Sequence, residues 1–206
     1  MKKIRILIAD DHAVVRLGLV SLLESEADML VVGQAKDGEE AVILTRQLKP
    51  DVVIMDLMMP KKDGAAATDE ITRETPEAKV IILTSYGAAD DVAHALEAGA
   101  SGAIMKTAED ETLVSALRRI VAGERIISPE IKKLLVENPP IPALTPRQQE
   151  ILASITRGLT NKDIATELGI RHDGVDRHVN AILKKIGAAN RAEAVAIALR
   201  KHLLKI

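Results

Sequence analysis

The chain of 206 residues contains no cysteine, no tryptophan and no phenylalanine, and Tyr86 is its one aromatic of that kind. Without thiols there is neither a disulfide framework nor a thiolate metal site. Without Phe or Trp the core must be filled by Leu, Ile, Val, Met and Ala, which is physically sufficient. No apolar run approaches the roughly 20 residues of a membrane span. Met1-Lys2-Lys3 leads directly into an apolar segment rather than a signal peptide. A cytoplasmic protein without membrane contact is the expectation. His12, His94, His172, His178 and His202 show no ligand spacing with Cys or Glu that would mark a zinc site. No glycine-rich loop follows the first apolar run, which argues against a dinucleotide-binding enzyme.

The net charge of −2 hides an uneven distribution. Residues 1–125 carry 15 Lys+Arg against 22 Asp+Glu, a balance of −7, and residues 126–206 carry 13 against 8, a balance of +5. Such asymmetry points to a second part that faces nucleic acid, joined to a first part that does not.

Strand and helix patterns alternate through residue 122. Ile4–Ala9, Leu30–Gly33, Asp51–Met55, Lys79–Leu83 and Ala103–Met105 read as short, nearly continuous apolar strands. Strands of this kind are buried on both faces. Amphipathic runs follow each, near 13–24, 38–48, 63–74, 88–98 and 109–122. Five βα units with short connections make a doubly wound parallel sheet with right-handed crossovers. Residues 124–143, ending in Asn138-Pro139-Pro140-Ile141-Pro142, read as a linker, with a short helix from Ser128-Pro129 to Val136. Every later segment is helical. Thr145-Pro146-Arg147-Gln148 and Asn190-Arg191-Ala192-Glu193 read as capping boxes, and Thr160-Asn161-Lys162-Asp163 caps a helix between them.

Two constellations carry chemistry. With strand order 2-1-3-4-5, Asp10-Asp11 and Asp56 face one crevice, flanked by Thr84 and Lys106 at neighbouring strand ends. Ligands gather at the carboxyl ends of such sheets. Three carboxylates at close range repel unless a hard cation with oxygen ligands joins them, and Mg²⁺ fits best. In the tail, Gly158-Leu159-Thr160-Asn161-Lys162-Asp163-Ile164-Ala165 leads through Leu168-Gly169-Ile170 into a helix holding Asp176-Arg177-His178-Val179-Asn180. Helix, tight turn and helix is the arrangement that reads the major groove of double-stranded DNA. Arg177 suits a guanine edge, Asn180 an adenine and Asp176 a cytosine. Lys162, Lys184, Lys185 and Arg191 suit phosphates.

Here the residues match a family. Ile8-Ala9-Asp10-Asp11-His12, Met55-Asp56-Leu57-Met58-Met59-Pro60, Leu83-Thr84-Ser85 and Met105-Lys106 resemble the receiver domain of two-component response regulators. The tail from Leu144 to Leu204 resembles a LuxR-type helix-turn-helix domain, and the two in this order look like the NarL/FixJ class. The resemblance implies a flavodoxin-like α/β domain at 1–123, a linker at 124–143 and an all-α, four-helix DNA-binding domain at 144–206. It implies that Asp56 takes a phosphoryl group from a phosphohistidine of a sensor histidine kinase. Asp11, Asp56 and the backbone carbonyl of Met58 would ligate Mg²⁺, with Asp10 acting mainly through water. Lys106 would pair with the phosphoryl oxygens and the Thr84 hydroxyl would bond to one of them. Phosphorylation would favour a homodimer on DNA, with Ala194, Val195, Ala198 and Leu199 of the last helix as contact. The chain would assist its own phosphorylation and dephosphorylation without being a turnover enzyme.

One position departs from the family. An aromatic switch residue is usual three residues before the Lys, and Ala103 stands there. Either Tyr86 substitutes, or the signal uses another packing change. Two alternatives stay open: a DNA-binding regulator independent of phosphate, and a receiver that acts by protein contact alone.

Overall fold

The computed structural model describes residues 3–85, 89–139, 144–200 and 203–204. The chain divides into two compact units, Met1–Pro140 and Ile141–Ile206. Moving the charge boundary to this division leaves the two balances unchanged at −7 and +5.

In the first unit β1 (Ile4–Ala9), β2 (Met29–Ala35), β3 (Val52–Met55), β4 (Lys79–Thr84), β5 (Gly102–Met105) and β6 (Ile126–Ile127) form one sheet. Its order is β2-β1-β3-β4-β5-β6, and every pairing is parallel. The strand period of two sorts the core onto two faces. Leu7, Ala9, Val53, Met55, Val80, Ile82, Ala103 and Met105 pack against α2 (Gly38–Leu48), α3 (Gly64–Glu74) and α4 (Ala89–Glu97). Ile6, Ile8, Val52, Ile54, Ile81, Leu83 and Ile104 pack against α1 (Ala13–Glu24) and α5 (Asp110–Val121). Aliphatic side chains alone fill both layers.

The segment expected to be a linker is mostly part of this unit. β6 adds a sixth strand beside β5, and α6 (Pro129–Glu137) lays Ile131, wholly buried, into the face that holds Ala103. Two local features explain the difference. Gly102 has no Cβ, and one added there would come within 2.6 Å of the Ile126 carbonyl oxygen, so glycine lets β6 dock. Ser128 caps α6 by accepting from the Ile131 N–H, and Pro129 occupies the first turn, where its missing N–H costs nothing. The prolines at 140 and 142 lie outside the described residues.

The second unit holds α7 (Pro146–Thr156), α8 (Asn161–Glu167), α9 (His172–Ile186) and α10 (Arg191–Arg200). Thr145 and Gln148 form a reciprocal capping box on α7, and Thr160 and Asp163 form another on α8. At α10 the Glu193 N–H bonds to Asn190 Oδ1, but the Glu193 carboxylate reaches the Ala189 N–H rather than that of Asn190. Ile151, Leu152, Ile155, Ile164, Val175, Val179, Ile182, Ile186, Ala194, Ile197 and Ala198 make its core. The turn between α8 and α9 passes through Gly169 at φ +63°, a left-handed conformation that a Cβ would strain. Among the described residues no helix is long and apolar enough to cross a membrane.

Candidate functional site

The carboxyl ends of β1, β3, β4 and β5 meet at one edge of the sheet. Asp56 is tied there by its own N–H to the Ala9 carbonyl (2.8 Å), and Lys106 by its N–H to the Thr84 carbonyl (2.7 Å). Gly64 makes the approach of α3 possible. A Cβ at that position would overlap the Asp56 carbonyl oxygen, and the Gly64 N–H bonds instead to the Leu57 carbonyl at 2.9 Å.

Side chains converge in consequence. Lys106 Nζ lies 2.8 Å from Asp10 Oδ2 and 2.8 Å from Asp56 Oδ2, and all three groups are largely buried. Burial pushes the Asp56 carboxyl above the usual carboxylate range, and the Lys106 hydrogen bond pulls the other way without cancelling it. For Lys106 burial works against the ammonium, yet its bonds to Asp10 and Asp56 prevail and hold it above its ordinary value. Lys106 is therefore a fixed cation. Asp10, Asp11, His12 and Asp56 offer ligand atoms that all lie within 4.8 Å of one another. At such distances a pair of like charges costs about 4 kcal/mol even at an effective dielectric near 20. One ammonium does not neutralise three carboxylates, so the pocket is short of positive charge.

Thr84 ends β4 with its hydroxyl buried and donating to the Ser85 carbonyl at 3.2 Å. The Met58 side chain is exposed on the loop after Asp56. Ala103 is wholly buried beside Ile131, and Tyr86 lies outside the described residues. Sequence reasoning set His12 aside, but its Nδ1 stands 2.7 Å from Asp11 Oδ1, and its backbone N–H donates to Asp10 Oδ1 at 2.8 Å. Arg16, one turn into α1, donates to the Asp10 carbonyl at 2.7 Å. Direct adjacency to Asp10-Asp11 was the signal available for His12.

In the second unit α9 turns Val175, Val179, Ile182 and Ile186 inward. At 100° per residue Asp173, Arg177, Asn180 and Lys184 then share one outward stripe within about 60°, and all four are exposed. Lys162 is exposed on α8. Three residues expected at the DNA are partly buried and bonded within the unit. Lys185 Nζ donates to Gln148 Oε1 at 3.0 Å. Arg191 donates to Asn161 Oδ1 at 2.8 Å and to the Leu159 carbonyl, and burial lowers its guanidinium pKa. Asp176 accepts from Asn161 Nδ2 at 2.7 Å and pairs with His172 at 3.1 Å. Lys162 and Lys184 are exposed cations of this surface. On α10, Ala194 and Ala198 are core, and of the expected contact stripe only Leu199 is more than half exposed.

An acidic pocket at the carboxyl edge of a parallel sheet, joined to a helix-turn-helix unit, defines a two-part signalling protein. The family model of the response regulator receiver domain matches residues 6–118, and that of bacterial regulatory proteins of the luxR family matches residues 142–198. The chain belongs to the response regulators, with a receiver domain followed by a LuxR-type DNA-binding domain, the build of a phosphorylation-controlled transcription regulator. It is 39% identical to the transcriptional regulatory protein LiaR of Bacillus subtilis (strain 168) over 98% of this chain and 99% of that protein. It is 40% identical to the oxygen regulatory protein NreC of Staphylococcus carnosus (strain TM300) over 97% of this chain and 99% of that one. Among solved structures, the response regulator ChrA of a heme-sensing two-component system matches with a TM-score of 0.61 at 36% identity, covering 99% of this chain and 100% of ChrA. RcsB in its DNA complex shares the fold, with a TM-score of 0.68 at 24% identity over 97% of this chain and 99% of RcsB.

Proposed function

We propose that Asp56 accepts a phosphoryl group from a phosphohistidine of a partner sensor kinase, and that this controls binding of the second unit to double-stranded DNA. The observation that carries the reading is the Lys106 ammonium held 2.8 Å from both Asp10 and Asp56 in a buried, electron-rich pocket. As the oxygen–phosphorus bond to Asp56 forms, the phosphorus–nitrogen bond of the donor breaks and the imidazole leaves with its electron pair. Asp56 thereby becomes an acyl phosphate. Transfer of this kind needs positioning and neutralisation of charge more than covalent help from the protein. Lys106 shifts its hydrogen bonds to the incoming oxygens, and the Thr84 hydroxyl, one step along the sheet, turns toward one of them.

The residues fit a divalent cation. The carboxylate oxygens of Asp10, Asp11 and Asp56 and the charge deficit of the pocket suit a hard ion, and Mg²⁺ is the one we assign, with the Met58 carbonyl as a further ligand. When bound, Mg²⁺ offsets the negative charge of carboxylates and phosphoryl oxygens together. The chain takes up and loses one phosphoryl group per cycle and is not a turnover enzyme. Incubation with a small phosphodonor and Mg²⁺ is expected to add one acid-labile, hydroxylamine-sensitive group. Undiminished labelling of Asp56→Asn would refute the assignment.

DNA binding rests on the exposed stripe Arg177, Asn180 and Lys184, on Lys162 and on the +5 balance of the second unit. A single recognition helix covers one half-site, so a homodimer formed on phosphorylation gains affinity through effective concentration. Equal sedimentation of the phosphorylated and unphosphorylated forms, together with equal affinity for a selected operator, would count against that coupling.

A further inference from the structure

The loop between β3 and α3 carries an unusual backbone. Lys61 adopts φ +63°, in the left-handed region. The other described non-glycine residue of this kind, Lys49 at φ +46°, is the C-cap of α2, an ordinary place for that conformation. Lys61 ends no helix. A side chain there costs about 1 kcal/mol or more, and it persists only where the surroundings over-determine it.

What over-determines it is visible. Lys61 Nζ lies 2.6 Å from Asp37 Oδ2, and Asp37 is 1% exposed. The other Asp37 oxygen caps α2 by accepting from the Glu40 N–H at 2.9 Å. Lys61 holds the Asp37 carboxyl below the usual carboxylate range. The backbone follows the same path, since the Gly38 N–H donates to the Lys62 carbonyl at 3.2 Å. A Cβ at Gly38 would overlap that carbonyl oxygen, so glycine permits the contact. The exposed end of such an ion pair contributes little, but leaving a buried carboxylate unpaired is costly.

Topology gives the contact its meaning. Strand order is β2-β1-β3, so a loop that leaves β3 at Asp56 and is tied to the first turn of α2, beyond β2, spans the end of β1. Asp10 and Asp11 follow that end directly. We propose that the Lys61–Asp37 clasp pins this loop as a fixed wall of the acidic pocket, making Lys61 and Asp37 positioning residues for cation binding and phosphoryl transfer at Asp56. The inference rests on the reading of Asp56 given above. Neither residue is within the pocket itself, and both act through the loop that follows Asp56.

Two substitutions separate the clasp from general stability. Lys61→Gly accepts φ +63° without strain and deletes the side chain with its ammonium. Asp37→Asn keeps an oxygen to cap α2 and deletes only the charge. Mg²⁺ titration of the full, unphosphorylated chain, with labelling by acetyl phosphate in parallel, gives the readout. Each variant is expected to bind Mg²⁺ about tenfold more weakly, the scale of an outer residue that orients ligands. The double variant is expected to be no worse than either single one, because both remove the same contact, and Lys61→Arg is expected to recover most of the loss. Wild-type Mg²⁺ affinity in Lys61→Gly, or losses that add in the double variant, would overturn the clasp while leaving Asp56 intact. Failure of the wild-type chain to bind Mg²⁺ or take label would overturn the reading of Asp56, and the clasp with it.

Discussion

Lys106 is held 2.8 Å from Asp56 by two backbone ladders rather than by its own side chain: Lys106 is anchored to Thr84, and Asp56 to Ala9. A short ion pair between the ends of β3 and β5 is thus a property of the whole sheet. Lys106→Met would strand two buried carboxylates, and the metal-free protein is expected to lose about 3 kcal/mol of stability. Mg²⁺ should restore part of it by binding the folded state alone. Urea unfolding with and without Mg²⁺ checks both. A variant as stable as the parent without metal would contradict the charge balance drawn for the pocket.

Gly64→Ala tests the seat of α3. The added Cβ would overlap the Asp56 carbonyl oxygen, which is backbone and has little room to give. A loss of about 1–3 kcal/mol is expected from such overpacking, with slower labelling at Asp56 in the fraction that remains folded. Chemical denaturation and phosphodonor kinetics on the same sample measure the two effects.

The cations of the second unit should divide by salt dependence. Lys184→Ala is expected to weaken binding to specific and random duplex alike and to lower the salt slope by about one unit. Lys185→Ala and Arg191→Ala should change the slope less, because bonds to Gln148, Asn161 and Leu159 hold these side chains against their own unit rather than extended toward a phosphate. A unit drop in slope for Arg191→Ala would place that residue at a phosphate after all.

Arg177 and Asn161 should both govern specificity, by different routes. Arg177→Ala is expected to cost roughly 1–3 kcal/mol on a selected operator and to relax preference at one base pair. Asn161 joins Arg191 of α10 to Asp176 of α9. Asn161→Ala should therefore tilt the recognition helix, lowering specific affinity across several base pairs with random-duplex affinity unchanged. Competition assays with single-base operator variants distinguish one altered position from many.

Most of the receiver is legible from pattern alone. β1, β3 and β4 are apolar runs ending in Asp10, Asp56 and Thr84, and a strand buried on both faces leaves few other readings. The capping box at Thr145 and the αL turn at Gly169 follow from local backbone chemistry in the same way. β6 was missed because Ile126-Ile127 is too short to register a period, and α6, expected as a short helix from Ser128-Pro129 to Val136, was assigned to a linker because of the nearby prolines. Their place depends on space beside Gly102, which sits 24 residues earlier in the chain.

Sequence by itself determined which groups stand at strand ends and which helical residues face out. Both follow from periods of two and of 3.6 residues, which are local. Tertiary structure decided which polar groups remain free. Lys184 and Lys185 are neighbours of identical chemistry, but one faces outward and the other meets Gln148, 37 residues away. Arg191 meets Asn161, 30 residues away, and Asp176 meets the same Asn161, for the same reason. A side chain's partner is set by what the fold brings within about 3 Å, and no pattern along the chain encodes that distance.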